Sequence, residues 1–140
     1  MKKLVSLALS AVMACGVTAA LAGCDGDSNT GAKVEDFEFK PVAASELKVG
    51  LICLHDDSST YDKNFIDAFE AACKAKGLTK KQYTIVVDVP EEGDDCYNKA
   101  AGFADEGYKV VFADSFGHEA NMLKAAKQYK DTEFCHATGN

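Results

Sequence analysis

The sequence has no arginine at all, and its 15 lysines are outnumbered by 22 aspartates and glutamates, for a net charge of −7. Phosphate recognition needs a basic face, so this balance argues against a nucleic-acid binder. The turn after the first apolar run contains no glycine, which argues against a phosphate loop or a dinucleotide fingerprint. No G-x-S-x-G elbow is present. Cys-x-x-Cys and His-x-x-x-His spacings are also missing, so the usual signs of a metal site are absent. His55, His118 and His136 are each near a strand end, yet His136 alternates with Cys135 and the two face opposite ways. Neither a metal nor another cofactor is expected. Ser115 is close to His118, but a local pair with no third group to orient it is weak evidence for catalysis. There is no internal repeat at solenoid periods.

What remains is an apolar chain, 47% hydrophobic, of a length that suits one domain. It begins with Met1-Lys2-Lys3 and an apolar run to Ala22, interrupted by Ser6, Ser10, Gly16 and Thr18. Leu21-Ala22-Gly23-Cys24 closes that run, with small residues before a thiol. The order positive, apolar, small is that of a signal peptide. The tetrad resembles the bacterial lipobox, so residues 1–23 read as a lipoprotein leader and Cys24 as the site of lipidation. An uncleaved membrane helix is the competing reading, but the run is barely long enough and is diluted by polar residues. An ordinary secretory peptide is the other. A diacylglyceryl group supplies two chains, enough for stable anchoring where one is marginal. Residues 24–46 show no helical or strand period and read as a flexible tether, with a reach of roughly 25 Å. The expected location is the extracytoplasmic face of a cell membrane.

From residue 47 the pattern becomes regular. Residues 47–54 form an apolar run suited to a strand buried on both faces. Residues 61–76 have helical spacing, with Phe65, Phe69, Ala72 and Cys73 on one face and Gly77 placed as a C-terminal cap. Residues 83–89 predict a second strand, ended by Pro90. Asp94 or Asp95 caps a second helix with Cys96, Ala100, Phe103 and Ala104 inward, stopped by Gly107. Residues 109–113 predict a third strand. Residues 118–129 predict a third helix with Met122, Leu123, Ala126 and Tyr129 inward, and residues 133–137 a fourth strand. The order β-α-β-α-β-α-β implies an α/β fold, a parallel sheet with helices on both faces.

Ligands in open parallel sheets bind at the carboxyl ends of the strands, near the point where strand order reverses. That rule selects four loops: residues 55–61, 91–94, 114–118 and 138–140. They are rich in hydroxyls, carboxylates and imidazoles, with Tyr61 and Phe116 as stacking faces. A polar small molecule with a flat ring suits such a rim. The plainer reading is that strand-end loops are polar because they are exposed. Four cysteines remain beyond Cys15 and Cys24: Cys53, Cys73, Cys96 and Cys135, all at positions read as buried or half-buried. An oxidising envelope would pair them as two disulfides and an anaerobic cell would leave them free. Cys53 and Cys135 belong to strands that are not expected to be neighbours.

These residues together resemble the basic membrane protein family of ABC-transporter substrate-binding lipoproteins. The segments that carry the resemblance are the lipobox, residues 48–52, the acidic Ser/Thr loop ending Tyr61-Asp62-Lys63-Asn64-Phe65, Val89-Pro90-Glu91, residues 112–117 and residues 134–139. The resemblance implies one lobe of a type I periplasmic-binding-protein fold, occupying residues 47–140, with the family's chain continuing into a second lobe. It implies a ligand such as a purine nucleoside held between lobes, and ABC permease and ATPase subunits as partners. It places ligand contacts at Asp57, Ser58, Ser59, Thr60, Tyr61 and Asn64, and at Asp114, Ser115 and Phe116. Tyr61 or Phe116 would stack on the base, while Asp114 and the hydroxyls would hydrogen-bond the ligand. Two other functions fit the same residues: a surface sensor or interaction lipoprotein built on this lobe, and a small flavodoxin-like enzyme.

Overall fold

Four short segments of aliphatic and β-branched residues become strands, and three amphipathic segments between them become helices. The computed structural model describes residues 41–139, so the expectations for residues 1–23, for Cys24 and for the tether up to residue 40 lie outside the described residues. The strands are β1 (Val49–Ile52), β2 (Tyr83–Val86), β3 (Val110–Ala113) and β4 (Glu133–His136). The helices are α1 (Thr60–Ala75), α2 (Asp95–Asp105) and α3 (Glu119–Gln128), with a single 3-10 turn at Phe116–His118 before α3. Among the described residues no helix is long and apolar enough to cross a membrane.

All strands are parallel, in the order β2-β1-β3-β4. The chain moves outward from β1 to β2, then crosses back to β3 on the other side of β1. The order therefore reverses between β1 and β3. Ile52 is level with Val86 on one side and Ala113 on the other, and Ala113 is level with His136. This register brings all four carboxyl ends to one edge of the sheet. β1 is buried on both faces, as expected for a central parallel strand. On one face Val49, Leu51 and Cys53 meet Phe69 and Cys73 of α1. On the other, Ile52, Val111 and Ala113 meet Cys96, Ala100 and Phe103 of α2, with Met122 and Ala125 of α3.

Local chemistry accounts for the ends of the elements. Ser59 caps α1, its hydroxyl accepting from the Asp62 N–H. Gly77 and Gly107 have φ of +73° and +81°, and each helix closes on a paired motif: Leu78 N–H to Cys73 O with Gly77 N–H to Lys74 O, and Tyr108 N–H to Phe103 O with Gly107 N–H to Ala104 O. Asp94 stands at the head of α2 but makes no side-chain cap; its carboxylate accepts instead from Lys124 Nζ at 2.8 Å. β2 ends at Val86 rather than at Pro90, because Asp88 adopts φ of +57° and breaks the extended ladder first.

All three helix faces differ in part from the expected ones. In α1 Ala72 is exposed and Ile66 joins the core instead. In α3 the buried residues are Asn121, Met122 and Ala125, while Leu123 is 54% exposed. The 3-10 turn at Phe116–His118 has a shorter period than an α-helix, so it shifts the phase of everything after it. In α2 Ala101 is buried and Ala104 only half-buried. Cys53, Cys73, Cys96 and Cys135 are all free thiols, and the strands of Cys53 and Cys135 are indeed not adjacent.

Candidate functional site

The reversal point between β1 and β3 organises the carboxyl edge of the sheet. Here the loop after β1 and the loop after β3 are tied together directly: Tyr61 Oη donates to the Asp114 carbonyl at 2.9 Å. Ser115, the next residue, connects the loop after β2 and the end of β4. Its hydroxyl donates to Glu91 Oε1 in the loop after β2, and the Gly117 N–H donates to the same oxygen at 3.0 Å. Its carbonyl accepts from His136 Nε2 at the end of β4, at 2.6 Å. The loops after β1 and β2 and the end of β4 therefore converge on residues 114–117. The Ser115 hydroxyl, and after it the Gly117 N–H, holds the exposed Glu91 carboxyl below the usual carboxylate range. Sequence places Glu91 in a polar loop and His136 within the fourth strand; the register that joins them to Ser115 is a property of the sheet.

This clasp leaves two aromatic faces in solvent, Tyr61 at 48% and Phe116 at 58% exposure. Tyr61 also leans on Phe65, with ring centroids 5.1 Å apart. Thr60, Tyr61 and Asn64 occupy the exposed first turn of α1, and Ser59 is its half-buried cap. Asp57 and Ser58 are exposed in the tight turn before it, where the Ser58 N–H and hydroxyl both donate to Asp56 Oδ1, at 3.0 and 2.5 Å. Of the nine sequence-predicted contact residues, the structure links Tyr61, Asp114 and Ser115 by hydrogen bonds across loops and sets Phe116 beside them. The bonds of Ser58 and Ser59 stay within their own segment.

Asp114 and Ser115 sit deeper than a rim position implies. Asp114 has no exposure and Ser115 has 6%. The Asp114 carboxylate lies under the loop, with Oδ1 accepting from the Leu54 N–H at 3.2 Å. Oδ2 has no hydrogen-bond partner. Burial pushes the Asp114 carboxyl above the usual range. Asp62, also buried, is a contrast. Burial would raise it as well, but the Ser59 hydroxyl at 2.5 Å, the His55 N–H at 2.9 Å and the His55 ring at 3.2 Å all favour its charged form and hold it down to about 2. Cys53 stands beside both acids, and burial pushes its thiol up. One donor atom each from Cys53, Asp62 and Asp114 lies within 4.8 Å of the other two. Spacing along the chain does not reveal this group, since its members come from three separate segments.

The histidines do not converge. His118 is fully buried, with Nε2–H donating to Val89 O at 2.9 Å, so the residue read as part of the rim is a core group with a satisfied N–H. His136 engages Ser115 and His55 engages Asp62. A separate shallow hollow of about 410 Å³ lies between α3 and β4, lined by Met122, Leu123, Ala126, Phe134 and His136.

No protein-family model matches the chain. It is 33% identical over 100 residues to a purine-binding protein of Brucella abortus (strain 2308), a match that covers 69% of this chain and 27% of that protein. The chain thus spans about a quarter of the relative's length. Among solved structures, an ABC transporter system solute-binding protein from Conexibacter woesei DSM 14684 superposes with a TM-score of 0.54 at 17% identity, over 63% of this chain and 28% of that one. The described residues therefore have the α/β fold of a periplasmic-binding-protein lobe.

Proposed function

We propose that the chain is the ligand-binding lobe of a lipid-anchored substrate-binding protein that captures a purine base or nucleoside and delivers it to the permease and ATPase subunits of an ABC importer. In this reading residues 1–23 are the leader, Cys24 carries the lipid, residues 24–46 tether the lobe and residues 47–140 form it. The mechanism involves no covalent chemistry. The carrying observation is the clasp at Ser115, which ties three loops and the end of β4 and leaves Tyr61 and Phe116 as exposed aromatics at the reversal point of the sheet. Flat heterocycles stack on such faces, and the exposed Thr60 and Asn64 beside them would supply hydrogen bonds to their polar edges. The similarity to a purine-binding protein of Brucella abortus supports the purine class.

Nitrogen-15 chemical-shift mapping of the chain with adenine, guanine, adenosine, guanosine and a sugar control tests the site, because it registers the weak affinity of one lobe alone. Shifts centred on residues 60–64 and 115–117, lost in Tyr61→Ala and Phe116→Ala, are expected. Shifts scattered elsewhere, or none at saturating ligand, overturn the assignment. Labelling Cys24 with radioactive fatty acid, and its loss in Cys24→Ser, checks the anchor separately.

A further inference from the structure

Beneath the rim lies a group of donors that nucleobase capture does not use. Cys53 follows β1, Asp62 is in the first turn of α1, and Asp114 follows β3. Their exposures are 0%, 1% and 0%, and one donor atom of each lies within 4.8 Å of the others. Burying two carboxylates and a thiol together is costly unless something positive is shared among them. Asp62 is supplied by Ser59 and by both nitrogens of His55 named above. Asp114 takes one backbone donor, Leu54 N–H on Oδ1, and the Cys53 thiol also acts on its carboxylate. Its second oxygen is buried without a donor, on the same carboxylate that faces Cys53 and Asp62.

The geometry points to a binding site for a borderline-soft divalent cation, of the Zn²⁺ class, formed by Cys53 Sγ and by carboxylate oxygens of Asp62 and Asp114. The donor set decides the class. Mg²⁺ and Ca²⁺ take all-oxygen shells, whereas one thiolate with two carboxylates suits Zn²⁺ and its spectroscopic substitute Co²⁺. The three donor atoms, all within 4.8 Å of one another, are close enough to share one ion. The surroundings already resemble an outer shell: Asp62 is oriented by Ser59 and His55, and Asp114 by the Leu54 N–H. Cation uptake releases the Cys53 thiol proton and any proton held by Asp114 to solvent, and no electron changes hands. The bound ion braces the ends of β1 and β3 against α1, directly under Tyr61 and Ser115. It does not depend on the purine reading, since its ligands lie below the rim.

The test uses the reduced, chelator-treated full chain titrated with Co²⁺ and then Zn²⁺. One equivalent of Co²⁺ is expected to give a sulfur-to-metal charge-transfer band that Zn²⁺ abolishes. The band is lost in Cys53→Ala and in Asp114→Asn, and is kept in Cys135→Ser and Cys24→Ser. Ser59→Ala, which removes a hydroxyl from Asp62, weakens binding about 10- to 100-fold. X-ray absorption on the zinc-loaded wild type, which requires no variant to fold, shows one sulfur with oxygen or nitrogen neighbours. Absence of the band, its survival in folded Cys53→Ala, or a zinc shell with no sulfur or several sulfurs overturns the site.

Discussion

At Gly50 the central strand packs directly against Phe103 of α2. A Cβ built on Gly50 would lie 2.9 Å from both Cδ2 and Cε2 of Phe103, closer than carbon atoms pack. Phe103 cannot swing aside freely, because it is 7% exposed and its ring leans on Tyr108 with centroids 4.6 Å apart. Gly50→Ala therefore overpacks the core, at about 1–3 kcal/mol. The substitution also reduces the freedom of the unfolded chain, which returns about 0.4–1 kcal/mol. The net expectation is a loss of about 1–2 kcal/mol. Urea unfolding should show a lower midpoint with an unchanged slope, and melting should fall by about 4–8 °C per kcal/mol. The cause is isolated by a cycle with Phe103→Leu, which opens space where the new methyl would enter. That change is destabilising by itself, yet in combination it should recover about 1 kcal/mol or more of the Gly50→Ala loss. A neutral Gly50→Ala, or two losses that simply add, would refute the claim that this contact sets the spacing of β1 and α2.

Other consequences are as direct. A Cβ on Gly117 would fall 2.5 Å from Glu91 Cβ, so Gly117→Ala should expel Glu91 from the clasp. Carbon-13 titration of Glu91 should then show its midpoint rising toward the ordinary carboxylate value, and an unmoved midpoint contradicts the clasp. Because that carboxyl is depressed in the folded chain, its contribution is complete above the unfolded pKa and is lost as pH falls through the folded one. Tyr61→Phe removes the bond to the Asp114 carbonyl and should cost about 1 kcal/mol. Faster amide exchange in both joined loops should accompany it, and exchange confined to one loop argues against a tie. Among the described thiols, Cys135 should react first with iodoacetamide, and slowly. It is the one only half-buried, all four are raised by burial, and Cys96 is pushed up to about 12. Peptide mapping that finds Cys53 or Cys96 modified first contradicts this.

The alternation of strands and helices was legible because its causes are local. β-Branched runs, helical spacing and the two capping glycines each act within a few residues, and Gly77 and Gly107 stop their helices as expected. The phase of α3 was not legible, since nothing in residues 116–118 announces a 3-10 turn, and one such turn turns Leu123 outward and Asn121 inward. His118 was misplaced for a related reason. An imidazole reads as polar, but a buried one is stable once its N–H meets a carbonyl, and Val89 supplies it.

The site divides along the same line. Its exposed parts, Tyr61, Asn64 and Phe116, could be named from topology alone, because carboxyl-end loops of a parallel sheet share one edge whatever their sequence. Its buried parts depend on register. Ile52 pairs with Ala113, so the residues that follow them, Cys53 and Asp114, leave adjacent strands side by side. Asp62 then reaches them because Ser59 starts α1 where it does. A one-residue slip of β3 against β1 would send the side chain at this position to the opposite face of the sheet. It would also separate Asp114 from both Cys53 and the Tyr61 hydroxyl. The same pairing therefore positions the aromatic rim above and the donor cluster below, which is why a cation held by the cluster would act on the rim.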